Sequence, residues 1–170
     1  MKGLLFSFAG LAAALSLSIG LNGALAANHS ASAGVKVTVA SSGLGRILVD
    51  GRGRTLYLFE KDKRGKSVCA GQCASFWPPL IASGRPFATA GAKASLLGTT
   101  KRADGRVQVT YNHHPLYRFV KDMKKGQTNG EEVDAFGAEW YALSPAGAKV
   151  EKSEAMSSDD GYPAPGGYGY

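Results

Sequence analysis

The chain has 170 residues, 44% of them hydrophobic and 19% charged, with a formal net charge of +7 at pH 7 and two cysteines. That length supplies one domain with a modest core. The basic excess favours anionic neighbours such as envelope polymers. With no helix-turn-helix, zinc-finger or RNA-binding aromatic motif beside it, a nucleic-acid reader is excluded.

Taken in order, Met1-Lys2 is a short positive start and Leu4 to Leu21 an apolar run without charge. Ala24-Leu25-Ala26 then gives the small-x-small pattern of a signal-peptidase site, which predicts a signal peptide over 1–26 cleaved after Ala26. The polar Asn28-His29-Ser30 beyond it favours cleavage over a membrane anchor, and no Cys lies beside the site to accept a diacylglyceryl lipid. A secreted or periplasmic chain with no transmembrane segment after cleavage is expected. In such a compartment Cys69 and Cys73 are expected to pair. Closing so short a loop contributes on the order of 2 kcal/mol.

Residues 27–34 read as a flexible leader, and the β domain as 35–150. Val35, Val37 and Val39 alternate with Lys36 and Thr38, the period of a half-buried strand. Ser41-Ser42-Gly43 turns the chain, Ile47-Leu48-Val49 returns, and Asp50-Gly51-Arg52-Gly53 signals a hairpin. The third strand is Leu56 to Phe59, with Tyr57 and Phe59 on one face and Leu56 and Leu58 on the other, which predicts a central strand. After the charged Lys61–Lys66 turn and the two cysteines comes Phe76-Trp77-Pro78-Pro79-Leu80. The paired prolines forbid a helix through this point and confine any strand to an edge. Gly84 to Gly91 links onward.

Ser95 to Thr100 then reads as a strand and Ala103-Asp104-Gly105 as a turn. Val107, Val109 and Tyr111 share a strand face, and Asn112-His113-His114 turns into Leu116–Phe119. Lys121 to Ala138 reads as a loop shaped by Gly126, Asn129 and Gly130, and Trp140 to Leu143 closes the unit. Residues 151–170, ending in a Gly/Tyr/Pro run, cannot build a core and are predicted disordered.

The second half repeats the first. Leu56-Tyr57-Leu58-Phe59-Glu60-Lys61-Asp62 recurs as Leu116-Tyr117-Arg118-Phe119-Val120-Lys121-Asp122. Gly45-Arg46 and Val49 align with Gly105-Arg106 and Val109 without a gap, and Trp77 is answered by Trp140. A fixed self-similarity means one supersecondary unit used twice. The expectation is an all-β fold of two tandem four-stranded antiparallel meanders, 35–84 and 95–145, packed as a pseudo-two-fold sandwich or small barrel.

The paired elements Tyr57-x-Phe59-x-x-Asp62 and Tyr117-x-Phe119-x-x-Asp122 resemble the signature of bacterial predicted lipoproteins with a Yx(FWY)xxD motif. These are also called the secreted repeat of unknown function. Cys69-x-x-x-Cys73 with Trp77-Pro78-Pro79 resembles that family's first repeat, and the similarity spans residues 44 to 145. The chain departs from the lipoprotein label in lacking a lipid-acceptor Cys. The resemblance implies export and a repeated fold, and no activity.

Of the chemistry-bearing residues, Tyr57, Phe59, Tyr117 and Phe119 read as core, the alternative being walls of a groove for a planar ligand. A buried tyrosine hydroxyl needs a partner, and the Asp of its own repeat is one candidate, which would make the motif structural. Cys69 and Cys73 read as a structural bridge, because exchangers use a two-residue spacer at a helix start. His113 and His114 lie in a turn and are the only candidates near a metal, short of the three or four ligands that zinc or copper needs. No cofactor is expected. The leading expectation is therefore a non-enzymatic envelope module of unknown activity, either binding a polyanion, an envelope protein or a small planar ligand or serving as a structural component. The alternative is a periplasmic protein handling redox chemistry, copper or haem through Cys69/Cys73 or His113/His114.

Overall fold

The computed structural model describes residues 34–63 and 65–152. The expected signal peptide with its cleavage site, nearly all of the leader and nearly all of the tail lie outside them. Among the described residues no helix is long and apolar enough to cross a membrane.

The fold is all-β, in three small sheets. In the first, β1 (Lys36–Ser42) carries the valine alternation and pairs antiparallel with β2 (Gly45–Asp50). Its other edge takes β4 (Phe87–Ala88) in parallel. A second sheet has the order β3 (Tyr57–Phe59), β9 (Ala138–Ala142), β8 (Val133–Ala135). The third joins β5 (Leu97–Lys101), β6 (Val107–Tyr111) and β7 (His114–Pro115).

Three local expectations shift. Ala94–Leu96 is a 3-10 turn, so the strand expected from Ser95 begins at Leu97. The Lys121–Ala138 loop contains β8, which turns into β9 through Phe136 and Gly137, both at positive φ. A single helical turn, α1 (Gln72–Phe76), packs Cys73 inward and stops before Pro78, where the ring would remove the next donor.

The two repeats do not close upon themselves. Each gives its last strand to the other. β9, from the second repeat, pairs with β3 of the first, setting Tyr57 opposite Ala142 and Phe59 opposite Trp140. Reciprocally, the stretch after α1 pairs with the second repeat. The amides of Val120, Arg118 and Leu80 donate to the carbonyls of Phe76, Pro78 and Leu116 at 3.1, 2.9 and 2.8 Å. Between these crossings Tyr57 and Tyr117 exchange two backbone bonds of 2.9 and 3.0 Å. β3 is thus paired on both sides, as its two apolar faces require.

The pseudo-symmetry is explicit in the hydrogen bonds. Leu56 donates to Leu48, Leu48 to Leu143 and Leu143 to Leu56, while Leu116 donates to Val109, Val109 to Leu80 and Leu80 to Leu116. These two closed triangles equate Leu48 with Val109, so the ungapped alignment of Val49 with Val109 slips by one residue. The cause is the hairpin loop between the paired ends, which is Gly51–Gly53 in the first copy and one residue shorter, Asn112–His113, in the second. Ile47 is thereby matched by Gln108, and both are fully buried.

Two apolar clusters arise from the strand faces. Tyr57, Phe59, Trp77, Tyr117, Phe119 and Trp140 lie in one with the disulfide. Leu56, Leu58, Leu80, Val109, Leu116 and Leu143 lie in the other. Gly130 is pressed against the first: a Cβ there would stand 2.8 Å from the Trp77 ring and 2.9 Å from Cζ of Tyr57. Both rings are fixed by the core, so Gly130→Ala should destabilise the protein by about 1–3 kcal/mol as overpacking. Chemical denaturation of the two proteins tests this; an unchanged midpoint would contradict the packing.

Candidate functional site

The alternation in Tyr-x-Phe sends both rings of each copy to one face, and the strand exchange brings the two copies together there. Phe59, Trp140, Trp77 and Phe119 form one continuous stack, with successive centroids 4.1, 3.9 and 4.2 Å apart. The central Trp77–Trp140 planes are within 3° of parallel. Tyr57 stands edge-on to Trp77 and Tyr117 edge-on to Trp140. Each such pair contributes about 0.5–1.5 kcal/mol beyond area burial. The six rings are 0–7% exposed and fill the core, and only the Trp77–Phe119 end of the stack reaches a surface cleft.

The tyrosine hydroxyls correct a second expectation. Tyr57 donates to Oδ2 of Asp122 at 2.5 Å, and Tyr117 to Oδ2 of Asp62 at 2.6 Å. Each tyrosine is bonded to the Asp of the other repeat, not of its own. The remaining carboxylate oxygen closes the local loop: Asp62 Oδ1 accepts the Val68 amide at 2.7 Å, and Asp122 Oδ1 accepts the Asn129 amide at 2.9 Å. Burial pushes both Asp carboxyls above the usual carboxylate range, against the pull of the tyrosine bonds. Burial first, then the neighbouring Asp, pushes both phenols well above theirs, so both hydroxyls remain donors.

Behind Tyr117 runs a polar chain that, among the described residues, has no counterpart behind Tyr57. Ser67 Oγ lies 2.7 Å from the Tyr117 hydroxyl, and Arg102 Nη1 donates to Ser67 at 2.6 Å. Arg102, 5% exposed, also donates to Gln108 Oε1 and to the Cys69 carbonyl, each at 2.6 Å. Across the pseudo-dyad, the Gly130 amide donates to the Tyr57 hydroxyl at 3.3 Å. In a third deviation from symmetry, Arg118 stands where the first copy has Leu58. It remains 24% exposed and donates to the buried Asp50 at 2.6 Å. Burial raises the Asp50 pKa, but the Arg54 and Arg52 amides and the Arg118 guanidinium outweigh it and hold the carboxyl below its usual range.

Cys69 and Cys73 form a disulfide, with both residues buried at 1% and 7% exposure. Pro79 bridges to Tyr117, and Pro78 accepts from Arg118. His113 lies exposed in the two-residue turn and His114 comes next, half-buried. Burial, then the charge of His113, lowers the His114 pKa. Among the described residues no group of three or more His, Cys, Asp or Glu side chains is placed to hold a metal.

Sequence reasoning overlooked two features. Glu131 is 4% exposed; its Oε2 accepts the Ala142 amide at 2.7 Å and its Oε1 has no hydrogen-bond partner among the described residues. The equivalent of Ala142 in the first copy is Pro79, which has no amide to satisfy. The other is a small apolar cleft of about 230 Å³ at the end of the ring stack, reaching Trp77 and Phe119 and walled by Phe76, Val133, Ala135 and Phe136. Phe76 and Phe136 are 43% and 37% exposed, with ring centroids 6.1 Å apart. Phe136 is held at φ 61°, a left-handed conformation costly for a bulky side chain. Lys121 lies at the cleft, and Lys61 donates to the Phe136 carbonyl at 3.0 Å. Phe136-Gly137 is the only sequence signal for this edge, through its turn-forming glycine.

Burial raises the Glu131 pKa to about 7 from 4.5. A raised folded-state pKa gives stability that is full below the unfolded value and lost as pH rises through the folded one. Glu131→Gln keeps the acceptor for Ala142 and removes the charge. Wild type should therefore lose on the order of 3 kcal/mol relative to Glu131→Gln between pH 4.5 and pH 8, at roughly 1.4 kcal/mol per unit. Parallel denaturation curves across that range check it; a constant difference would contradict it.

The family model described as secreted repeat of unknown function matches residues 38–81 and 98–144, together more than half of the chain. No curated protein and no solved structure matches it. The two matched segments coincide with the two copies, each ending on the strand that crosses to the other, and the family's description supports an exported location. The chain belongs to the family of secreted repeats of unknown function.

Proposed function

We propose that the protein is an exported envelope module that acts by binding rather than by catalysis, and that its contact surface is the cleft between Phe76 and Phe136. The observation that carries this is the cleft itself: two phenyl rings left exposed, one of them in a strained turn, over a rigid aromatic floor. Strain of this kind, roughly 1–3 kcal/mol, is characteristic of sites that recognise something. The motif residues support the same reading from the other side. Tyr57, Tyr117, Asp62 and Asp122 are consumed by one another, and the rings by their stack, so the repeat signature builds the scaffold and the surface beside it does the work.

Lys121 at the cleft and the chain's positive charge favour an aromatic group that carries negative charge. The redox alternative is disfavoured by the burial of the Cys69–Cys73 bridge, since thiol exchange requires access to sulfur.

Anilinonaphthalene sulfonate, a planar aromatic anion, is a suitable probe. Fluorescence titration should give saturable one-site binding, weakened at least tenfold by Phe136→Ser and severalfold by Lys121→Glu, with the near-ultraviolet circular dichroism of both variants unchanged. Non-saturable binding, or binding indifferent to Phe136→Ser, would overturn the assignment of the cleft.

A further inference from the structure

The chain itself supplies a candidate for this cleft. The last described residue, Lys152, is tied to Glu132 twice: its amide donates to Oε1 at 2.9 Å and its Nζ lies 3.1 Å from Oε2. Glu132 immediately precedes β8, whose Val133 and Ala135 form one wall of the cleft. The chain beyond Lys152 therefore departs from the cleft's own edge. At about 3.3 Å per residue, the three-residue β8 puts Phe136 about 10–13 Å from that anchor.

The segment beyond Lys152 carries the chemistry that the cleft favours. Asp159 and Asp160 precede Tyr162-Pro163-Ala164-Pro165, with Tyr168 and Tyr170 further on. Tyr162 lies ten residues beyond Lys152, a reach of up to ~33 Å, well beyond the span required. Proline-spaced aromatic segments dock in clefts between aromatic rings at low entropic cost, because the extended conformation is preformed. The two aspartates pair in sign with Lys121 at the cleft and with Lys61, which is bonded to Phe136. A tether this short presents the segment at an effective concentration on the order of millimolar, so weak intrinsic affinity suffices.

We propose that residues 159–170 occupy the cleft beside Phe76 and Phe136 of the same molecule, with a tyrosine ring packed against that phenyl pair and the aspartates toward Lys121 and Lys61. An external ligand must then displace the chain's own segment. This rests on the reading of the cleft as a binding surface, and deepens it by naming the first occupant.

The test compares the full chain with Tyr162→Ser/Tyr168→Ser/Tyr170→Ser, whose changes lie outside the described residues. In the full chain, nuclear Overhauser contacts are expected between a tail tyrosine ring and Phe76 or Phe136, independent of protein concentration. The triple variant should lose them and bind anilinonaphthalene sulfonate at least fivefold more tightly. Equal affinity with no such contacts would overturn the proposal. If Phe136→Ser still abolished probe binding, that result would leave the cleft assignment intact. Contacts that grow with protein concentration would also overturn it, by assigning the occupant to a second copy. Absence of probe binding by either protein, together with absence of contacts, would overturn both readings.

Discussion

Two hydrogen bonds, from Tyr57 to Asp122 and from Tyr117 to Asp62, are the constraint around which this fold is arranged. Each places a carboxylate against an apolar core, where desolvation penalises the charge. That penalty is offset only if the phenol and the loop amides both reach it. To satisfy the phenols, Asp62 and Asp122 must sit across the pseudo-dyad. To satisfy their second oxygens, the loops beyond them must curl back until the amides of Val68 and Asn129 arrive. Those loops lead into the Trp77 and Trp140 segments, whose rings meet face to face between Phe59 and Phe119. The polar crossing and the aromatic stack are thus two consequences of one geometry.

The strand exchange makes the two copies interdependent. A first repeat alone would lack the strand that covers β3, the acceptor for Tyr57 and half of the ring stack. It would leave Leu56 and Tyr57 with unmatched backbone groups. Duplication here is a condition of folding rather than an array of independent modules, unlike solenoid repeats, where each unit contacts only its neighbours. The departures from symmetry lie where the copies face different loops. The first has a disulfide, whose Cys69 carbonyl, like the nearby Ser67, is bonded by the buried Arg102 of the second. The second has Gly130 against the tyrosine and Glu131 under Ala142.

Much of this was legible in the residues. Period-two alternation identified β1 and the two-sided third strand, and the Tyr-x-Phe-x-x-Asp recurrence identified the duplication. The partner of each tyrosine was not legible. Asp62 and Asp122 each stand five residues after the tyrosine of their own copy, and only the path of the chain between the copies carries each to the other tyrosine. Alternation put Val107, Val109 and Tyr111 on one face of β6 and gave no sign that Gln108 is buried. It is buried because the shorter hairpin shifts it into the place of Ile47, where its side chain bonds Arg102 and the Leu116 carbonyl. Arg118 was recognisable as a polar substitution for Leu58, but its partner Asp50 lies across the hairpin in the other copy. Such long-range choices leave no local signature.

The claim that the copies are locked by crossed tyrosine–aspartate bonds is tested most directly by double-mutant cycles. Stability should be measured for Tyr57→Phe with Asp122→Asn, and separately for Tyr57→Phe with Asp62→Asn. Hydrogen bonds to buried charged groups contribute about 1.5–3 kcal/mol. A coupling energy above roughly 1 kcal/mol is predicted for the Tyr57/Asp122 pair, with near-additivity for the Tyr57/Asp62 pair. Coupling of Tyr57 to Asp62, with additivity to Asp122, would contradict the crossed arrangement.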